Sequence, residues 1–268
     1  MKRYPALALF VLLAACNGGD DKKYEDKSLI VQPTPLINYN IVTTYPHDSS
    51  AYTQGLEFYK GKLYEGTGDF KNSSLRITDY KSGRVENKYM MGTDSIFGEG
   101  ITILKDKLYQ LTWVSNIMYV YDPKDITKPV KTMKWPYQGW GMTNNGTDLI
   151  ISDGTANLYF VNPEDLRVKT TIGVSDNGGP IGYLNELEYI DGFIYANVYE
   201  KEQILKIDPS SGHVVAMIDL TGLVQKVAPG YIPEPMDEVL NGIAYDSASK
   251  KLLVTGKRWP KMIEIQLK

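Results

Sequence analysis

Five segments of this chain begin alike, and that repetition limits the possible folds more than any other feature. Each opens with a ring-forming polar or aromatic residue, usually a glycine, and then an apolar residue: Gln54-Gly55-Leu56, Glu99-Gly100-Ile101, Trp140-Gly141-Met142, Asn185-Glu186-Leu187 and Asn241-Gly242-Ile243. The start-to-start spacings are 45, 41, 45 and 56 residues. Within each segment a turn (Lys60-Gly61, Lys105-Asp106, Asn145-Gly146, Asp191-Gly192, Ser249-Lys250) leads to an alternating strand: KLYEGT, KLYQLT, DLIISD, FIYANV and KLLVTG. A third strand follows (LRITDY, IMYVYD, LYFVNP, ILKIDP, MIEIQL), and three of these stop at Asp122-Pro123, Asn162-Pro163 and Asp208-Pro209. Fourth strands read VENKYMM, VKTMK, VKTTIGV and HVVAMIDL, but the last repeat ends after its third. The stretch NYNIVTTY at 38–45 supplies the missing one. Four short strands per unit at this period, closed by the amino-terminal strand, predict an all-β, five-bladed β-propeller. Closure leaves no long open sheet edge. The wider last spacing comes from residues 221–240, whose three prolines predict an excursion across one face with a single helical turn.

Composition agrees and removes several function classes. With 43% apolar and 23% charged residues in 268, the chain reads as soluble and globular, and its 20 tyrosines suit half-buried pleated surfaces. The 29 Lys and Arg against 32 Asp and Glu give a net charge of −3, and no basic run is long enough to neutralise phosphates, so nucleic acid is not expected as a partner. One cysteine and two histidines exclude a disulfide framework, a Cys/His zinc site and a Cys/His nucleophile pair. The glycines at 66 and 68 lack the third glycine and the helix of a dinucleotide motif, and no cofactor is expected. His47 reads as a turn or capping residue, His213 as solvated, and Trp259-Pro260 as packing at a blade bend. The lone cysteine has another meaning. Met1-Lys2-Arg3, an apolar run over 6–15 and Leu13-Ala14-Ala15-Cys16 resemble a bacterial lipoprotein signal, in which Cys16 becomes the lipidated first residue. The expected organisation is a signal peptide at 1–15, a flexible tether at 16–35 and the propeller at 36–268. That describes a monomer exported across the inner membrane and anchored in the bacterial cell envelope, facing the periplasm or held in the outer membrane.

Propeller geometry selects candidate residues by itself. The position before each inner-strand glycine lies at one height, so Gln54, Glu99, Trp140, Asn185 and Asn241 converge on one rim. Amides, an indole and one carboxylate around a concavity suit a binding site. They also suit a plainer role, satisfying strand ends or holding axial water.

The strings Tyr52-Thr53-Gln54-Gly55-Leu56, Phe97-Gly98-Glu99-Gly100-Ile101, Leu111-Thr112-Trp113, Gly139-Trp140-Gly141-Met142, Leu184-Asn185-Glu186-Leu187, Leu240-Asn241-Gly242-Ile243 and Thr255-Gly256-Lys257 resemble, in order and spacing, the plant and bacterial type of glutaminyl cyclase. The resemblance spans about residues 40 to 268. It implies conversion of amino-terminal Gln of peptides to pyroglutamate with release of ammonia, without a catalytic metal. By position it implies Glu99 as acid/base and Gln54, Trp113, Trp140, Asn185, Glu200 and Lys257 around it. Tyr52 and Tyr199 stand where the family often has Phe and Trp, which bears on substrate preference.

The reaction needs such a set. A neutral α-amine attacks its own side-chain amide, and the departing nitrogen must be protonated, which one carboxyl group can do. Lys257 or the amides of Gln54 and Asn185 can stabilise oxygen charge, and Trp113 and Trp140 can wall the substrate stem. Burial would raise the Glu99 pKa and Lys257 would lower it; the sequence leaves that balance open. Two other readings stand beside this one. Glu99, Asn185 and Asn241 are oxygen ligands that could hold Ca²⁺, as in propeller lactonases, although Trp140 occupies a ligand position. A non-catalytic recognition propeller is the other, against which stands a carboxylate paired with a lysine.

Overall fold

The computed structural model describes residues 32–91 and 93–268. The signal peptide, Cys16 and residues 16–31 of the expected tether lie outside the described residues.

Five four-stranded antiparallel sheets follow one another along the chain. Their innermost strands are Thr53–Tyr59, Gly98–Leu104, Met142–Asn144, Leu184–Ile190 and Leu240–Asp246. Each of these touches the next, and the fifth returns to the first, so the ring is closed. The last sheet contains only three strands from the end of the chain. Tyr39–Pro46 completes it, with Tyr39 opposite Leu267 and Pro46 opposite Lys261. The five-bladed propeller closed by the amino-terminal strand is therefore present.

The turns expected to start each second strand have the required chemistry. Lys60 and Gly61 (φ 48° and 76°), Lys105 and Asp106 (52° and 57°), and Asp191 and Gly192 (47° and 89°) are left-handed at both central residues. That turn matches the twist of its flanking strands. Alternation along the strands fills the spaces between blades, and each of the five apolar clusters joins two adjacent blades. The repeated glycine follows from close approach at the axis. A Cβ on Gly55 would lie 2.5 Å from the Ile101 nitrogen, one on Gly100 2.6 Å from the Met142 nitrogen, and one on Gly141 1.9 Å from the Asn185 oxygen.

Blade 4 has Glu186 at this position. Its carboxylate accepts the Leu56 N–H (3.2 Å) and the Ile243 N–H (2.8 Å), linking three blades at the axis.

The junction of blades 5 and 1 has the smallest apolar cluster and a buried polar network instead. His47 is not a turn or capping residue. It is 8% exposed, with Nδ1 2.7 Å from the Trp259 carbonyl oxygen and Nε2 3.0 Å from Glu65 Oε1. Burial alone would lower its pKa, but the Glu65 carboxylate outweighs that and raises it. Trp259 is buried, as expected. His213 is half-buried beside the short hairpin Ser175–Asp176/Gly179–Pro180, which the repeat pattern does not anticipate. The excursion contains one helical turn, Leu223–Val227. The propeller also captures the end of the expected tether. Pro35 O accepts the Met217 N–H (2.9 Å), and Gln32 O accepts from Asn177 (2.9 Å).

Candidate active site

In four blades the inner-strand pairing slips at the ring position, between Thr53 and Gly55, Gly98 and Ile101, Leu184 and Leu187, and Leu240 and Ile243. Such bulges re-aim side chains. Here they turn Gln54, Glu99 and Asn185, together with Trp140, into a cavity of about 370 Å³. Tyr52, Phe97, Trp113, Tyr199 and Lys257, from the surrounding loops, complete its lining.

The aromatic walls are held by contacts to one another. Phe97 meets Tyr52 and Trp113 edge-on, with centroids 5.9 and 5.8 Å apart, and Trp140 meets Tyr199 in the same way at 5.8 Å. Gln138 Oε1 accepts both indole N–H groups, from Trp113 (3.0 Å) and Trp140 (3.1 Å). Neither Phe97 nor Gln138 was expected in the site. Phe97 stands in a quoted motif two residues before Glu99, whereas Gln138 has no counterpart in the repeat.

A buried carboxyl group and a buried lysine face this apolar cavity without closing an ion pair. Glu99 is 4% and Lys257 3% exposed. Burial pushes the Glu99 carboxyl well above the ordinary range, and Lys257 only partly opposes it. Burial also lowers the Lys257 ammonium to about 8, against the pull of Glu99 and Asp237. Desolvation thus wins the contest that the sequence left open. The ammonium lies 4.8 Å from the ring centroids of both Tyr52 and Tyr199, a cation–π arrangement that partly replaces water. The backbone around it is anchored, because Lys257 N–H donates to Val239 O (2.9 Å) and Trp259 Nε1 donates to Glu238 O (2.9 Å).

The model of the glutamine cyclotransferase family matches residues 8–267. This chain belongs to that family. It is 40% identical over 233 residues to a protein of Arabidopsis thaliana named glutaminyl-peptide cyclotransferase, covering 85% of this chain and 71% of that one. The crystal structure of Myxococcus xanthus glutaminyl cyclase superposes with a TM-score of 0.81 at 32% identity, covering 88% of this chain and 99% of that one.

Within this glutamine cyclotransferase scaffold, two expected site residues stand elsewhere. Asn241 is buried beneath Gln54 and does not line the cavity. Gly242 after it has φ +123°, a conformation reserved for glycine, so the fifth ring position departs from the other four. Asn241 therefore stands apart from Glu99 and Asn185, which line the cavity, and instead bonds the Thr53 carbonyl and the Gln54 amide. Glu200 is exposed on a left-handed residue (φ 64°) at the edge of the loop, outside the lining. The two family departures have a structural consequence. Tyr52 OH donates to Asp237 Oδ1 (2.8 Å) and Tyr199 OH to Met236 O (2.7 Å), so both walls hold the excursion at the mouth. Arg258 reinforces this by donating to Asp237 and Asp69, each at 3.0 Å.

Proposed function

We propose that this glutamine cyclotransferase closes the amino-terminal Gln of peptides and proteins into pyroglutamate, releasing ammonia, with Glu99 as general acid/base. The observation that carries the assignment is a neutral-biased carboxyl group, buried in a small aromatic cavity opposite a buried cation.

The substrate's side-chain stem lies between Trp113 and Trp140, which exclude water. Its neutral α-amine attacks the side-chain amide carbon, forming the ring C–N bond while the carbonyl π electrons move to oxygen. Lys257 and the amide N–H of Gln54 face that oxygen charge. Glu99 gives its proton to the departing nitrogen and regains one from the attacking nitrogen. When the carbonyl re-forms, the original C–N bond breaks and ammonia leaves, with the carboxyl restored. A positioned acid/base of this kind contributes roughly 10²–10⁴ in rate. Asn185 Oδ1 is buried without a hydrogen-bond partner among the described residues, and a substrate N–H satisfies it. The mechanism uses no metal, and Tyr199 contributes a wall rather than a proton.

The test offers purified residues 32–268 a Gln-initiated dipeptide in the presence of EDTA. Equal amounts of ammonia and pyroglutamyl product are expected; unchanged peptide refutes the reading. For location we propose an acyl anchor on Cys16 that tethers a monomer within the bacterial envelope. Membrane fractionation should show wild type with membranes and Cys16→Ala without acyl chains; an unmodified Cys16 in the native host overturns it.

A further inference from the structure

We infer that Asn241, which does not touch the cavity, is a positioning residue that sets the direction in which the Gln54 amide faces the substrate. The inference rests on the proposed cyclisation.

Asn241 is 0% exposed, so each of its polar atoms must find a partner. Its amide orientation is settled by its surroundings. One terminal atom lies 2.9 Å from the Thr53 carbonyl oxygen, which only accepts, so that atom is the NH₂ group. The same nitrogen lies 3.1 Å from the terminal amide of Gln54. A donor facing it requires the Gln54 oxygen at that point. Gln54 Oε1 is thereby committed to Asn241, and Nε2 becomes the group that Gln54 presents to the cavity it lines. On the far side, the Glu186 N–H points at Asn241 Oδ1 from 3.5 Å, consistent with the same orientation.

The chemistry makes this direction matter. An N–H facing the amide oxygen of the substrate stabilises the charge that grows there; a carbonyl oxygen in its place would repel it. Removing one such donor typically costs about 10²–10³ in turnover. An amide can flip at little steric cost, so a pocket relying on Gln54 needs something to hold its polarity. The Thr53 carbonyl holds Asn241, and Asn241 holds Gln54. The left-handed Gly242 that removes Asn241 from the lining is what puts it in this place.

The experiment is a double-mutant cycle on the full propeller domain, measuring kcat and KM for a Gln-initiated dipeptide with folding checked by circular dichroism. Asn241→Ser removes the orienting NH₂. It should lower kcat about tenfold or more in the wild-type background with KM nearly unchanged. In a Gln54→Met background, where there is no amide to orient, it should change kcat less than about twofold. Equal losses in both backgrounds, or no loss in folded Asn241→Ser, overturn the inference. Gln54→Glu provides an independent reading if Asn241→Ser does not fold. The outer oxygen of this variant donates only when protonated, so its activity relative to wild type should rise as pH falls; a ratio constant with pH overturns the inference. Inactive wild-type protein would refute the cyclisation itself, whereas active wild type with additive variants refutes only the role of Asn241.

Discussion

Replacing Gly141 by alanine tests the axial packing on which the site depends. The added Cβ would sit 1.9 Å from the Asn185 oxygen, 2.6 Å from its carbonyl carbon and 2.8 Å from the Glu186 Cα, all main-chain atoms. No rotamer change relieves that contact. The strands cannot part freely either, because Ser152 Oγ accepts the Gly141 N–H (2.7 Å) and donates to the Asn185 oxygen (2.8 Å). Overpacking of a rigid core costs about 1–3 kcal/mol, and each buried hydrogen bond strained adds about 0.5–1.5 kcal/mol. A loss of about 3 kcal/mol corresponds to a fall in Tm of about 6–12 °C for a domain of this size. Trp140 and Asn185 flank the clash, so KM should rise as well. Thermal unfolding followed by circular dichroism, alongside ammonia release, measures both. A Tm within about 2 °C of wild type would refute the close-approach argument.

Further outcomes follow from the buried charges. Catalysis needs a neutral α-amine, whose pKa is roughly 7.7–8.0, and a protonated Lys257, which titrates at about 8. The pH profile of kcat/KM should therefore rise and fall within a narrow range, and Lys257→Met should lower turnover and weaken the alkaline fall; an unchanged alkaline limb contradicts this. At the axis, burial and the nearby carboxylates of Glu57 and Glu186 raise the Glu188 pKa well above normal. A raised pKa gives stability that is complete below the unfolded value and is lost as pH rises through the folded one. Glu188→Gln keeps an acceptor for the Tyr245 N–H (2.8 Å) and should flatten the decline in stability from mildly acidic to neutral pH, measured by urea unfolding; a slope equal to wild type counts against it.

The fold was legible because each blade repeats its own punctuation, from the left-handed turns at Lys60-Gly61 and Asp191-Gly192 to the prolines at 123, 163 and 209. Most of the cavity was legible for the same reason, since Gln54, Glu99, Trp140 and Asn185 share one repeat position. The misreadings arose where one blade departs from its siblings. Gly242 adopts a positive φ that the other ring glycines lack, so Asn241 turns beneath the floor. His47 lies outside the repeat, and its local Pro-His-Asp sequence contains no sign of its partners, Glu65 and the Trp259 carbonyl, 18 and 212 residues away. Gln138 joins two tryptophans 27 residues apart in sequence, a contact that no periodic pattern encodes.

The central claim is that Glu99 moves the proton between the attacking and leaving nitrogens, and Glu99→Gln tests it most directly. The substitution keeps the size of the side chain but removes its ability to transfer a proton. Turnover of a Gln-initiated dipeptide, followed as ammonia release, should fall at least about 10²-fold while KM and Tm stay near the wild-type values. Near-wild-type turnover by a folded Glu99→Gln protein would contradict the account.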